Sequence, residues 1–154
     1  MKLLSLLFLT IFLGKGCEGN PKQNIETAKI IYTAHTRGYH QEIIIENKLV
    51  SVKKDRKEEA VQTKIKDADW KELVRLFQET DLEELKELKS PTEKRFYDGA
   101  AIANLTIIYE GKIYESQSFD HGFPPVEIKK IVTKINSFAK QNNEDQRYTR
   151  RNSR

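Results

Sequence analysis

The dipeptide Glu110-Gly111 separates two β-rich runs, residues 100–109 (AAIANLTIIY) and residues 112–119 (KIYESQSF). A two-residue break containing Gly between such runs predicts a tight antiparallel hairpin. The register follows from the turn: residues whose numbers sum to about 221 face each other, within one for a bulge. Ala101 is thereby set near Asp120 and Ala100 near His121.

The first half of the body has the same character. Residues 28–33 (AKIIYT) and 41–46 (QEIIIE) flank Thr36-Arg37-Gly38-Tyr39, a turn, and Asn47-Lys48 reverses the chain into residues 49–53 (LVSVK). Val61, Thr63 and Ile65 alternate with polar neighbours, the period of a half-buried strand. A helix follows, with Asp67 as N-cap and Trp70, Leu73, Val74 and Phe77 on one stripe. Leu82, Leu85 and Leu88 extend it by a turn or two before Ser90-Pro91 stops it. Pro124-Pro125 opens a second helix, with Ile128, Ile131, Val132, Ile135, Phe138 and Ala139 inward and Lys129, Lys130 and Lys134 outward. The order β-β-β-β-α-β-β-α predicts an α+β, two-layer domain over residues 27–139, an antiparallel sheet with two helices on one face. Residues 140–154 have no apolar period and are expected to be a disordered basic tail.

The start of the chain has a different composition. Met1-Lys2 precedes an apolar run at residues 3–13 (LLSLLFLTIFL), which as helix would span only about 16 Å, too short for a bilayer. It has the form of an export signal. With Gly14, Lys15, Gly16 and then Cys17, residues 1–17 resemble a bacterial lipoprotein signal. The resemblance implies cleavage of residues 1–16, acylation of Cys17 and a flexible tether over residues 17–26, so that the membrane is a partner through lipid. Stable anchoring needs more than one acyl chain, each buried CH₂ adding about 0.8 kcal/mol. The alternative is a plain secretory signal with Cys17 a free thiol.

Cys17 is the chain's single cysteine, which excludes an internal disulfide framework and a thiolate-rich metal site. The formal charge of +4 is unevenly spread: residues 1–16 hold two lysines and no acid, and residues 140–154 hold five basic and two acidic side chains. Residues 17–139 are left close to neutral, without the basic stripe of a nucleic-acid reader.

The hairpin register brings residues 93–99 (EKRFYDG) against residues 119–123 (FDHGF) at one sheet end. Arg95, Tyr97, Asp98, Asp120 and His121 form the candidate binding surface. Three readings compete. Asp98 or Asp120 could orient His121 as a general base, although no nucleophile motif accompanies them. His121, Asp120 and Asp98 could hold a metal with His35 or His40, although no metal-ligand spacing is present. In the third, Asp98-Gly99 and His121-Gly122 are turns, Asp120 accepts backbone N–H bonds, and the aromatics close the core. Arg37, Tyr39 and His40 form either a recognition loop or solvated neighbours of a Gly38 turn.

The stretches DADWKELVRLF, KRFYDGAAIANL and SFDHGFPPVEI resemble small envelope lipoproteins of Bacteroidota type, a group without an assigned activity. The resemblance implies a compact α+β domain at the outer membrane or periplasmic face. The functional expectation is a lipid-anchored, non-catalytic binding or accessory module for an envelope protein or glycan, without cofactor, catalytic residue, metal or nucleic acid. The alternative is a small hydrolase or metal-dependent enzyme using Asp98, Asp120 and His121.

Overall fold

The computed structural model describes residues 23–152; the apolar start, Cys17 and the tether up to residue 22 lie outside them. Seven strands form one antiparallel sheet: β1 (Lys29–His35), β2 (His40–Glu46), β3 (Leu49–Lys53), β4 (Val61–Lys64), β5 (Ile102–Tyr109), β6 (Lys112–Glu115) and β7 (Phe119–Asp120). The spatial order is β4-β3-β2-β1-β5-β6, with β7 also paired to β5. Two helices, α1 (Asp67–Gln78) and α2 (Lys129–Asn152), complete an α+β fold. No helix among the described residues is long and apolar enough to cross a membrane.

Period-two alternation decides which side of the sheet the helices cover. Ile30, Tyr32 and Ala34 of β1, Ile43 and Ile45 of β2, Val50 and Val52 of β3, and Ala103, Leu105 and Ile107 of β5 are buried on one face. They share one core with Trp70, Leu73, Leu76 and Phe77 of α1 and Ile131, Ile135 and Phe138 of α2. Each buried Val, Leu, Ile or Phe among them contributes about 1.5–3 kcal/mol by leaving water. The opposite face, carrying Ile31, Thr33, Glu42 and Ile44, is only half-buried.

Two tight turns set the hairpins. Asn47 and Lys48 join β2 to β3 with φ of 51° and 61°, and Glu110 and Gly111 join β5 to β6 with φ of 50° and 75°. Two consecutive positive φ angles match the right-handed twist of the flanking strands. The pairing between β1 and β5, seven residues deep from Lys29↔Ile108 to His35↔Ile102, closes the sheet between the two hairpin units.

Several local features differ from the sequence expectation, beginning with α1, whose N-cap is Lys66 and whose first residue is Asp67. Helix α1 ends at Gln78, and Leu85 packs from a separate 3-10 turn, Leu85–Glu87. Thr80 donates its hydroxyl to Leu76 O at 2.8 Å, and the Asp81 carboxylate accepts the N–H groups of Glu83 and Glu84. Those side chains offer the backbone partners outside the helix, which stops it early. Lys134, expected on the outer face, bridges α2 to α1 through Asp69 at 2.7 Å and Glu72 at 2.5 Å. Finally, α2 runs on to Asn152 across most of the stretch expected to be disordered. Asn142 is buried and accepts the Thr63 hydroxyl at 2.7 Å, so docking extends past Ala139. Lengthening a packed helix adds one hydrogen bond for each residue fixed, and residues 126–152 contain neither Gly nor Pro to interrupt it.

Candidate functional site

The two loops singled out by the register do meet. From Tyr109↔Lys112 to Thr106↔Glu115 the partners follow one register, but beyond it Ala103 faces Phe119 and Ile102 faces Asp120. One extra residue has entered at Gln117-Ser118, opposite Asn104, which is a bulge. Ser116 makes it possible: its N–H donates to Leu105 O at 2.9 Å, and its Oγ accepts the Leu105 N–H at 3.0 Å. The bulge divides one expected strand into β6 and β7 and sets His121 N–H on Ala101 O at 2.8 Å.

Asp120 has no exposed surface. Its carboxylate accepts the Thr92 hydroxyl, the Lys94 N–H at 2.7 Å, the Arg95 N–H at 2.9 Å and Arg95 Nη1 at 3.1 Å. Burial pushes this carboxyl up, but the four bonds outweigh burial and hold it down at about 2. Arg95 also donates to Ser90 Oγ and Thr92 O, so the pair ties the 90–95 segment to β7. Every oxygen of Asp120 is occupied by a structural partner, and none of them is His121.

Asp98 and Tyr97 lie on the surface of the same loop. Asp98 takes φ of 58° at the end of the 3-10 turn Lys94–Tyr97, and its backbone N–H caps Lys94 O. Tyr97 is 70% exposed, Phe96 73% and Val126 76%, with Phe123 half-exposed beside them. Lys94 Nζ stands 3.9 Å from the Phe123 ring centroid and the Arg95 guanidinium 4.3 Å from that of Phe96. The sheet end therefore presents aromatic rings held in place by cations, each such contact worth about 0.5–1 kcal/mol where exposed.

His121 belongs to a different environment. Its Nδ1 lies 2.7 Å from Tyr32 Oη, and its Nε2 lies 3.4 Å from Tyr39 Oη. Tyr39 donates its hydroxyl to Gln41 Oε1 at 2.9 Å, and Gln41 Nε2 donates to Asn136 Oδ1 at 2.7 Å. Asn136 Nδ2 in turn donates to Val132 O at 3.0 Å. The donors point one way along this chain. With the Tyr39 hydrogen committed to Gln41, the Tyr39 oxygen is the acceptor for an Nε2–H, and Nδ1 is the acceptor for Tyr32. Burial lowers the His121 pKa and raises those of Tyr32 and Tyr39, so all three are neutral at neutral pH.

The expected constellation thus divides. Arg95 and Asp120 form one buried pair, Tyr97 and Asp98 are surface residues of a turn, and His121 is paired with tyrosines. Asp98, Asp120 and His121 do not face one another. His35 and His40 pair across β1 and β2, in phase with the sheet face turned away from Tyr32. Among the described residues no three His, Cys, Asp or Glu side chains gather as metal ligands.

Tyr32, Gln41 and Asn136 were not among the expected site residues. Gln41 carried a signal: it is in phase with Ile43 and Ile45, a polar residue at a core-facing position, and it is buried. Gln41 and Asn136, together with Tyr39 and His121, border a cleft of about 460 Å³ along α2. Comparisons of the chain with known protein families, with curated proteins and with solved structures find no match.

Proposed function

We propose that the chain is a lipid-anchored binding module of the cell envelope, fixed at Cys17 and without catalysis of its own, whose free sheet end receives an envelope protein or glycan. The observation that carries this reading is the distance between where the chain enters the fold and where the candidate surface lies. Asn24 N–H donates to Tyr109 Oη at one end of β5. Asp120 and His121 join Ile102 and Ala101 at the other end. Seven residue steps of strand separate the two, about 23 Å. A tether entering at the Tyr109 end leaves the aromatic end free to face away from the surface to which the chain is fixed. Exposed rings on rigid turns suit recognition, while the buried carboxylate beneath them serves to hold the turns.

The test is membrane fractionation of the full-length chain with mass spectrometry of its first mature peptide. An acylated Cys17 and recovery with membranes are expected, with Cys17→Ser moving the protein to the soluble fraction. An unmodified thiol at position 17 in a freely soluble wild-type protein would overturn the proposal.

A further inference from the structure

The cleft beside His121 has walls of an unusual kind. Tyr39, Gln41, His121, Asn136, Ser137 and Lys140 contribute to a lining that, among the described residues, contains no carboxylate and a single cation. Its volume, about 460 Å³, falls in the range of small-ligand sites. Apart from Lys140, the polar groups are amides, hydroxyls and a neutral imidazole, a set that both donates and accepts without net charge. Gln41 Nε2 donates one hydrogen to Asn136 Oδ1, and an amide nitrogen has two hydrogens to give. The 3.4 Å contact between His121 Nε2 and Tyr39 Oη is long, so both groups can take a further partner. A ligand group that donates and accepts at once, a hydroxyl, satisfies all of these.

Tyr39 adds a flat apolar surface. The residue is 38% exposed, and its ring lies 5.5 Å from the His121 ring at 44° and is pinned by its hydroxyl to Gln41. A ring already fixed in place loses little freedom when a ligand stacks on it. We infer that this cleft binds a neutral carbohydrate, with the C–H face of one pyranose ring on Tyr39 and its hydroxyls on Gln41 and Asn136. The inference rests on the binding-module reading and names the ligand class of that module as glycan.

The test uses the full-length mature chain in detergent, labelled with ¹⁵N and titrated with maltotriose and with chitotriose. One of these sugars should shift the side-chain amide signals of Gln41 and Asn136. Tyr39→Ala should weaken binding at least about tenfold, equivalent to about 1.4 kcal/mol, while Ile113→Ala, at an exposed position of β6, leaves it unchanged. Tyr39→Phe keeps the stacking ring and should stay within about threefold of wild type. A Phe variant as weak as the Ala variant would overturn the stacking geometry. So would unshifted amide signals with either sugar at about 10 mM, a concentration that occupies even a millimolar site. The same preparation is read for Cys17 acylation. An acylated chain silent to both sugars overturns this inference alone, and a sugar-binding chain with an unmodified Cys17 overturns the anchor alone.

Discussion

Asp120 combines complete burial with full hydrogen bonding, and the combination makes it a structural post. Replacing it by Ala would strand the Arg95 guanidinium and two backbone N–H groups in the same dry pocket. Loss of one partner from a buried ion pair costs about 3 kcal/mol, and a fall in melting temperature of about 10 °C is expected by calorimetry. The carboxyl is held at about 2 in the fold, below its ordinary value near 3.8. Its contribution is therefore complete above about pH 4 and is lost as the pH falls towards 2. Asp120→Asn should flatten that acid limb in a stability-against-pH profile. The sequence indicated that Asp120 accepts backbone N–H bonds, because a carboxylate beside a turn commonly does. Arg95 as its partner was hidden, since the pairing depends on how the 90–95 segment folds back across β7.

At the scale of elements, the β5–β6 hairpin is the clearest case of local chemistry setting structure. Gly111 takes φ of 75°, and a Cβ added there would meet nothing within 4 Å. Gly111→Ala therefore isolates backbone strain, with an expected loss of about 1 kcal/mol measured by urea unfolding. The turn was legible because Gly between two β-branched runs has few other uses. Its consequence was also legible to within one residue, and the missing residue is the bulge at Gln117-Ser118. The helix boundaries were less legible. Leu82, Leu85 and Leu88 continue the apolar spacing of α1, yet Thr80 and Asp81 divert the backbone before them. Side-chain bonds to nearby main chain compete with the helix ladder at close to equal energy, so spacing alone does not locate the end.

For the whole molecule, the two-layer architecture makes the faces of the sheet unequal. Ile43 and Ile44 are consecutive in β2, but Ile43 is fully buried under the helices and Ile44 lies on the open face. Ile43→Ala should cost about 3 kcal/mol and Ile44→Ala about 1 kcal/mol in equilibrium unfolding. Equal losses would mean that the second face is covered as well. The sequence by itself determined the strands, the one-sided helices, the antiparallel hairpins and the meeting of the two loops, since period and turn chemistry act over a few residues. Only the tertiary structure decided that β1 lies against β5, that Asp120 and His121 face different surroundings, and that Tyr32, Tyr39, Gln41 and Asn136 form one chain of hydrogen bonds. Tyr32 and His121 are 89 residues apart and Gln41 and Asn136 are 95 apart, so their pairing arises when whole layers pack and leaves no local pattern to read.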